Sequence, residues 1–272
     1  MIIRSAHATG RACLAIGLTV GVATCALAIA FAAEAGTAHQ GQAQAAEHLW
    51  PAQATVAGSG DEVVDMLVGL AQIDGRLQVG MDLFQQGNTE AAQSHFQAVA
   101  DTLFPAFAAR FADRRMPAMP DALADLAILG EPAEMAQKYL TVRKAMADAT
   151  IALQADASQQ FMAIAIEVET VANALDAGVT GGRVTDPVAF QSAWGLVLAA
   201  SANASQLASA KEASLRTSGS KAALMLDDLV IALPEANPSV PVELSSITVR
   251  DIAMKIKRMA ATVAYQQSTA TN

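Results

Sequence analysis

Cysteine is almost absent from this chain. Its two cysteines, Cys13 and Cys25, both fall within the first 32 residues. A chain cut after that segment has no thiol, so disulfides, thiolate metal sites and cysteine nucleophiles are excluded from it. Aromatic residues are scarce at 4% and charged residues make up only 16%. Strands favour β-branched and aromatic side chains, so a chain rich in alanine and poor in rings points to helices. There is no run of Lys and Arg. The formal charge is -9, and removing residues 1–32 leaves 15 basic against 26 acidic residues, or -11. Such a chain has no means of neutralising phosphates, so nucleic acid is excluded as a partner. Hydrolase motifs are missing too: there is no G-x-S-x-G, no H-E-x-x-H and no Gly-rich loop after a strand. An enzyme is therefore not expected.

What is present starts with a leader. Arg4 and Arg11 precede "ACLAIGLTVGVATCALAIAFAA", residues 12–33, which carries no charge. "AFA" at 30–32 fits a cleavage site for a secretory signal peptide spanning 1–32. The mature protein is then periplasmic or secreted and has no membrane span. The apolar run is also long enough to cross a bilayer, so an N-terminal inner-membrane anchor is the alternative. A lipoprotein reading is disfavoured, because "VATC" puts threonine before Cys25 and the apolar run continues past it. Residues 33–58 lack apolar periodicity and read as a flexible tether. Residues 59–272 read as one helical domain.

In that domain Val63, Met66, Leu70, Ile73, Leu77, Met81 and Phe84 recur every three or four residues, which predicts a helix over 61–86. Gly69 and Gly80 inside it suggest close helix contact. "GNT" turns the chain into a second helix over 89–103, and Pro105 disturbs the pattern beyond it. A short helix is expected at 121–129. From Val142 to Leu175 the stripe keeps its spacing with no glycine or proline, predicting one long central helix over 133–177, or a rod that bends near "DASQQ" at 156–160. "GVTGGRVTDP" is a turn, and Asp186 with Pro187 starts the next helix, to about 215. "TSGS" at 217–220 separates it from a helix at 221–233. The last helix begins at Ser245 or Ser246. The expectation is an all-α, elongated bundle of about seven helices.

Chemistry-bearing residues are few. His39, His48 and His95 are the histidines beyond the leader, and the first two lie in the tether. Glu90, Asp101, Asp74 and Asp82 stand near His95 in sequence or on the preceding helix. With it they form the candidate metal set, a weak divalent ion at most, because selective sites need three or four fixed ligands. Glu167 and Glu169 are two apart and point to different faces. No Glu-x-x-His pair occurs, so a di-iron bundle is not expected. The methionines fall mostly on apolar stripes and read as core.

"QQGNTEAA" with Phe96 is similar to a single tetratricopeptide unit, but one copy cannot build a solenoid. Two longer stretches carry a second resemblance. "GRLQVGMDLFQQGNTEAAQSHF", 75–96, is similar to the pattern "GHLxxGxxLYxxGxxxAAxxHFxHP". "DAGVTGGRVTDPVAFQSAWGLVLAA", 176–200, is similar to "EDGkivnPxEYqdaxGFV". Together they resemble exported bacterial helical proteins of the imelysin-like and iron-permease-associated class. The resemblance implies a non-enzymatic binding or accessory protein of periplasmic metal uptake, with a membrane transporter or another periplasmic protein as partner. It also implies a degenerate ligand site. His95 matches one histidine of the pattern, but Arg76 and Ala98 replace two others. The alternative function is a scaffold that grips a partner protein in the groove of the 61–103 hairpin.

Overall fold

The computed structural model describes residues 59–113 and 118–270, so the leader and the tether lie outside the described residues. The domain is all-α, with eight helices among the described residues. α1 is Glu62–Gln85. Asp61 caps it by accepting from the N–H groups of Val63 and Val64, which satisfies donors a helix start leaves open. α2 is one continuous rod, running through Thr89–Ala98, a π-helical turn at Val99–Leu103, and Phe104–Asp113. The sequence pattern predicts its end near 103, because Pro105 lacks an N–H and crowds the preceding turn. The wider π turn, in which the Phe104 N–H reaches back to the Val99 carbonyl, sits where that crowding arises and lets the helix continue.

α3 is Ala118–Leu126, three residues ahead of its expected place. α4 is Pro132–Ala152 and α5 is Ala157–Gly178. The expected single helix over 133–177 is therefore two helices, interrupted beside "DASQQ", where a bend is the alternative expectation. Gln154 adopts a left-handed φ of 51°, and Asp156 and Gln159 form a capping box that starts α5 afresh. The stripe itself is right. Val142, Met146, Ala149, Leu153, Ala157, Phe161, Ile164, Val168, Val171 and Leu175 are all buried.

After α5, Val179–Thr180 (β1) and Arg183–Val184 (β2) form a two-residue hairpin closed by Gly181 and Gly182, both at positive φ. This is the turn that glycine pairs favour. α6 is Pro187–Ala208, capped by Asp186. α7 is Ala213–Ala232. It absorbs "TSGS", because a side chain at Gly219 would stand 2.4 Å from the backbone of Leu207 and Ala208: the glycine serves helix contact, not a turn. α8 is Ser246–Ala270. In the 233–245 connection, the Val242 N–H donates to the Gly182 carbonyl at 2.8 Å, fixing the connection to the hairpin.

The central helix is α1. It packs against α2, α5 and α6, while α5 also packs on α6 and α8, α6 on α7, and α3 on α4. Nearly every residue of α1 from Val64 to Leu83 is buried, including Asp65, Gln72, Asp74 and Arg76. Close approach is built from glycine. A Cβ on Gly75 would meet the Gly195 carbonyl carbon at 2.8 Å, so α1 and α6 cross backbone to backbone. Gly69 and Gly80 are covered by the rings of Phe107 and Phe96 from α2. No helix among the described residues is long and apolar enough to cross a membrane.

Candidate functional site

Two polar places lie inside this bundle. The first is a cavity of about 90 Å³ bounded by α1, α4, α5 and α6. Its apolar wall includes Leu67, Leu70 and Ile164, and its polar wall Asp74, Arg143, Glu167 and Asn203. Ala147 and Gln206, both exposed, stand at its rim. Helical spacing explains the set. Leu67, Leu70, Ala71 and Asp74 follow one another by three, one and three residues on α1, and Gln160, Ala163, Ile164 and Glu167 repeat that spacing on α5. Each helix thus ends an apolar stripe on a carboxylate facing the same space.

Asp74 is tied down. Arg143 Nη1 forms an ion pair with its Oδ1, and Gln78 Nε2 donates to its Oδ2 at 3.1 Å. Burial raises its pKa above the usual carboxylate range, and Arg143 and Gln78 pull it back. Burial likewise pushes the neighbouring Tyr139 phenol up, to about 12, with the Asp74 charge adding to the effect. Glu167 differs. It is 1% exposed, and among the described residues no ion pair reaches it. Its one hydrogen-bond partner is Asn203, whose Nδ2 lies 3.4 and 3.3 Å from the two carboxyl oxygens. Burial, with Asp74 adding repulsion, pushes its pKa up to about 8 against the Asn203 bond. The acid is therefore protonated at neutral pH.

The second place surrounds His95, between α1, α2 and α6. His95 Nε2 donates to Gln191 Oε1 at 3.1 Å. That fixes Nδ1 as the bare nitrogen, and it is buried without a hydrogen-bond partner, as are Gln72 Oε1 and Trp194 Nε1. Burial, then the Arg76 charge, lowers the imidazole pKa to about 3, against the Gln191 bond. His95 is neutral at any ordinary pH.

The residues expected around His95 are dispersed. Asp74 belongs to the cavity. Asp82 accepts from Gln86 Nε2 at 2.7 Å and lies by the backbone of Ala236. Glu90 is exposed on the first turn of α2. Asp101 is exposed on the π turn, beside a trough between α2 and α3. Among the described residues no three His, Cys, Asp or Glu side chains come together as a metal-binding group. Sequence reasoning missed Glu167, Arg143 and Asn203. A signal for Glu167 was present: it follows Ile164 by three and precedes Val171 by four, so an acid stands at core spacing. Glu169 is exposed, so the two acids do point apart.

The stretches 75–96 and 176–200 also meet in the fold. Gly75 meets Gly195, and His95 bonds Gln191, so 75–96 and 176–200 share one interface. Compared with protein-family models, curated proteins and solved structures, the chain matches none.

Proposed function

We propose that this is a non-enzymatic binding protein that holds a small ligand in the cavity between α1, α4, α5 and α6. The observation that carries this reading is the cavity itself: a space inside the bundle, with an apolar wall and a few convergent polar groups, is the ordinary form of a small-molecule site. Its lining has no histidine, cysteine or serine, and its one hydroxyl, that of Thr150, donates to the Met146 carbonyl and not to a carboxylate, so no base-activated hydroxyl or thiol faces a ligand there. Its volume suits a molecule of a few heavy atoms, since one water needs about 10–15 Å³ on the same measure. An accessory role in uptake outside the cytoplasm is part of the proposal. It is supported by residues 1–32 and by the resemblance of 75–96 and 176–200 to exported proteins. Mass spectrometry of protein from its native host should find an N-terminus near Ala33.

The test is a thermal-shift and NMR screen of small polar metabolites against the wild type and Ala147→Trp, whose indole would close the rim. Compounds that bind the wild type and not the variant support the reading. A screen without such compounds rejects it. A partner-binding scaffold is the second reading, favoured by one observation: the trough between α2 and α3, lined by Phe104, Leu123 and Ala127, ends on Ile128, which is 64% exposed. The trough lies between α2 and α3 and takes no residue from α1, so it is not the groove between the 61–86 and 89–103 helices.

A further inference from the structure

We propose that the cavity takes a small organic monocation, a primary ammonium or guanidinium group, whose charge is balanced by the carboxylate of Glu167. This deepens the binding-protein reading and rests on it. The charges facing the space select the ligand. Among the described residues Arg143 is the only cation lining it, and that charge is already matched by Asp74. An incoming anion finds no unmatched positive charge. An incoming cation finds Glu167, the one acid there without a counter-ion.

The neighbours of Glu167 on every packed element agree. α1 contributes Asp74, another acid, and α4 contributes Arg143, held by Asp74. α6 contributes uncharged Asn203 and Gln206. On α8, Arg250 bonds Asp176 and Asn173, and Asp251, Lys255, Lys257 and Arg258 are exposed. Among the described residues no protein cation is available to Glu167. The hydrogen-bonding capacity also fits. An ammonium carries three donors and a guanidinium five. Against them stand the carboxylate and the side-chain oxygens of Thr150, Gln160 and Gln206, all on the lining. Transition metals fit less well, because Glu167 and Asp74 are the only two acids on the lining and Asp74 is engaged.

The chemistry includes one proton. In the empty cavity Glu167 carries it, which avoids a buried lone charge. On binding, the O–H bond of Glu167 breaks, the proton passes to solvent, and the carboxylate pairs with the cation. Binding at neutral pH therefore releases close to one proton per ligand. Affinity rises about tenfold for each pH unit gained while Glu167 is mostly protonated.

The experiment is titration of the mature chain with methylammonium, guanidinium, potassium, acetamide and acetate. It is followed by the ¹³C shift of the Glu167 carboxyl and by calorimetry in phosphate and in HEPES, neither of which is a primary ammonium or guanidinium. Millimolar binding of methylammonium or guanidinium is expected, with the Glu167 carboxyl moving to its ionised position and about one proton released. Glu167→Gln should keep its fold and lose the cation. The proposal is overturned by preference for acetamide or acetate, equal binding of potassium, cation binding without proton release, undiminished binding by Glu167→Gln, or silence of every probe. Preference for acetamide or acetate that Ala147→Trp abolishes leaves the cavity as a ligand site and rejects only the charge class. If every probe is silent while the metabolite screen succeeds, the cation proposal falls alone. If the screen is silent too, both fall.

Discussion

A histidine in a helical hairpin can be a ligand or a packing group, and the surroundings of His95 decide between them. Its Nε2 is committed to Gln191, Nδ1 carries the remaining lone pair, and Arg76 is close enough to lower its basicity. A guanidinium stays cationic at all ordinary pH values and opposes a bound metal ion. The carboxylates that could have offset it are elsewhere: Asp74 with Arg143, Asp82 with Gln86, Glu90 and Asp101 at the surface. Calorimetric titration with zinc, copper and ferric citrate should therefore give nothing tighter than micromolar, and His95→Ala should titrate as the wild type does. Submicromolar binding that His95→Ala abolishes would contradict this account. At this scale the sequence was half legible. Arg76 and Ala98 standing where the pattern has histidines could be read directly. Glu167 could not be ranked above Glu169, because which acid faces inward depends on α1, α4 and α6, whose contacting residues are distant in sequence.

Periodicity located most helices, and where it failed the cause was either a local signal open to two readings or a contact beyond the reach of a local window. The apolar stripe crosses the α4–α5 break unbroken, since Leu153 and Ala157 are buried on either side of it. Burial was legible there, and so was the place of an interruption; that it is a full break and not a bend was not. The capping box of Asp156 and Gln159 was written in "DASQ", but a polar cluster in mid-helix reads equally well as a solvated face. "TSGS" misled for the opposite reason. Gly219 looks like a breaker until α6 is placed 2.4 Å from its missing Cβ. The same device joins α1 to α6, and it makes a clear prediction. In Gly195→Ala the new Cβ would lie 2.3 Å from the Gly75 carbonyl oxygen and 2.7 Å from its carbon. Backbone on a buried helix cannot rotate aside as a side chain can, so the helices must separate. Overpacking of this kind costs about 1–3 kcal/mol or more. Denaturant unfolding should show at least that loss, with His95 and Gln191 displaced together. A Gly195→Ala protein as stable as the wild type would mean that the two backbones cross less closely than these distances require.

For the molecule as a whole, two of the buried titratable groups, Glu167 and His95, act on stability in opposite directions, and their combination has a shape that can be measured. Glu167 has its pKa raised from 4.5 to about 8 in the fold. Its contribution is fully present below pH 4.5 and is lost as pH rises through 8, because the native state holds a proton that the unfolded chain has released. His95 has its pKa lowered from 6.5 to about 3. Its contribution is fully present above pH 6.5 and is lost as pH falls toward 3, because the unfolded chain takes up a proton that the native state refuses. Between 4.5 and 6.5 the two slopes cancel. These groups together give a plateau there, with an acid limb set by His95 and an alkaline limb set by Glu167, each on the order of a few kcal/mol. Other carboxylates add to the acid side, among them Asp61 and Asp176, whose hydrogen bonds hold them below the usual range. The informative quantity is therefore the difference between each variant and the wild type. Glu167→Gln should differ progressively between pH 4.5 and 8 and be flat outside that window. The difference for His95→Gln should change only between about 3 and 6.5 and be flat outside that window. The two residues lie on α5 and α2 and have separate hydrogen-bond partners, Asn203 serving one and Gln191 the other. The double variant should thus show the sum of both differences within about 0.5 kcal/mol. Urea unfolding at half-unit pH steps measures all four curves. An alkaline limb between pH 6.5 and 8 that survives Glu167→Gln unchanged would mean that Glu167 does not carry it and is not held protonated in the fold.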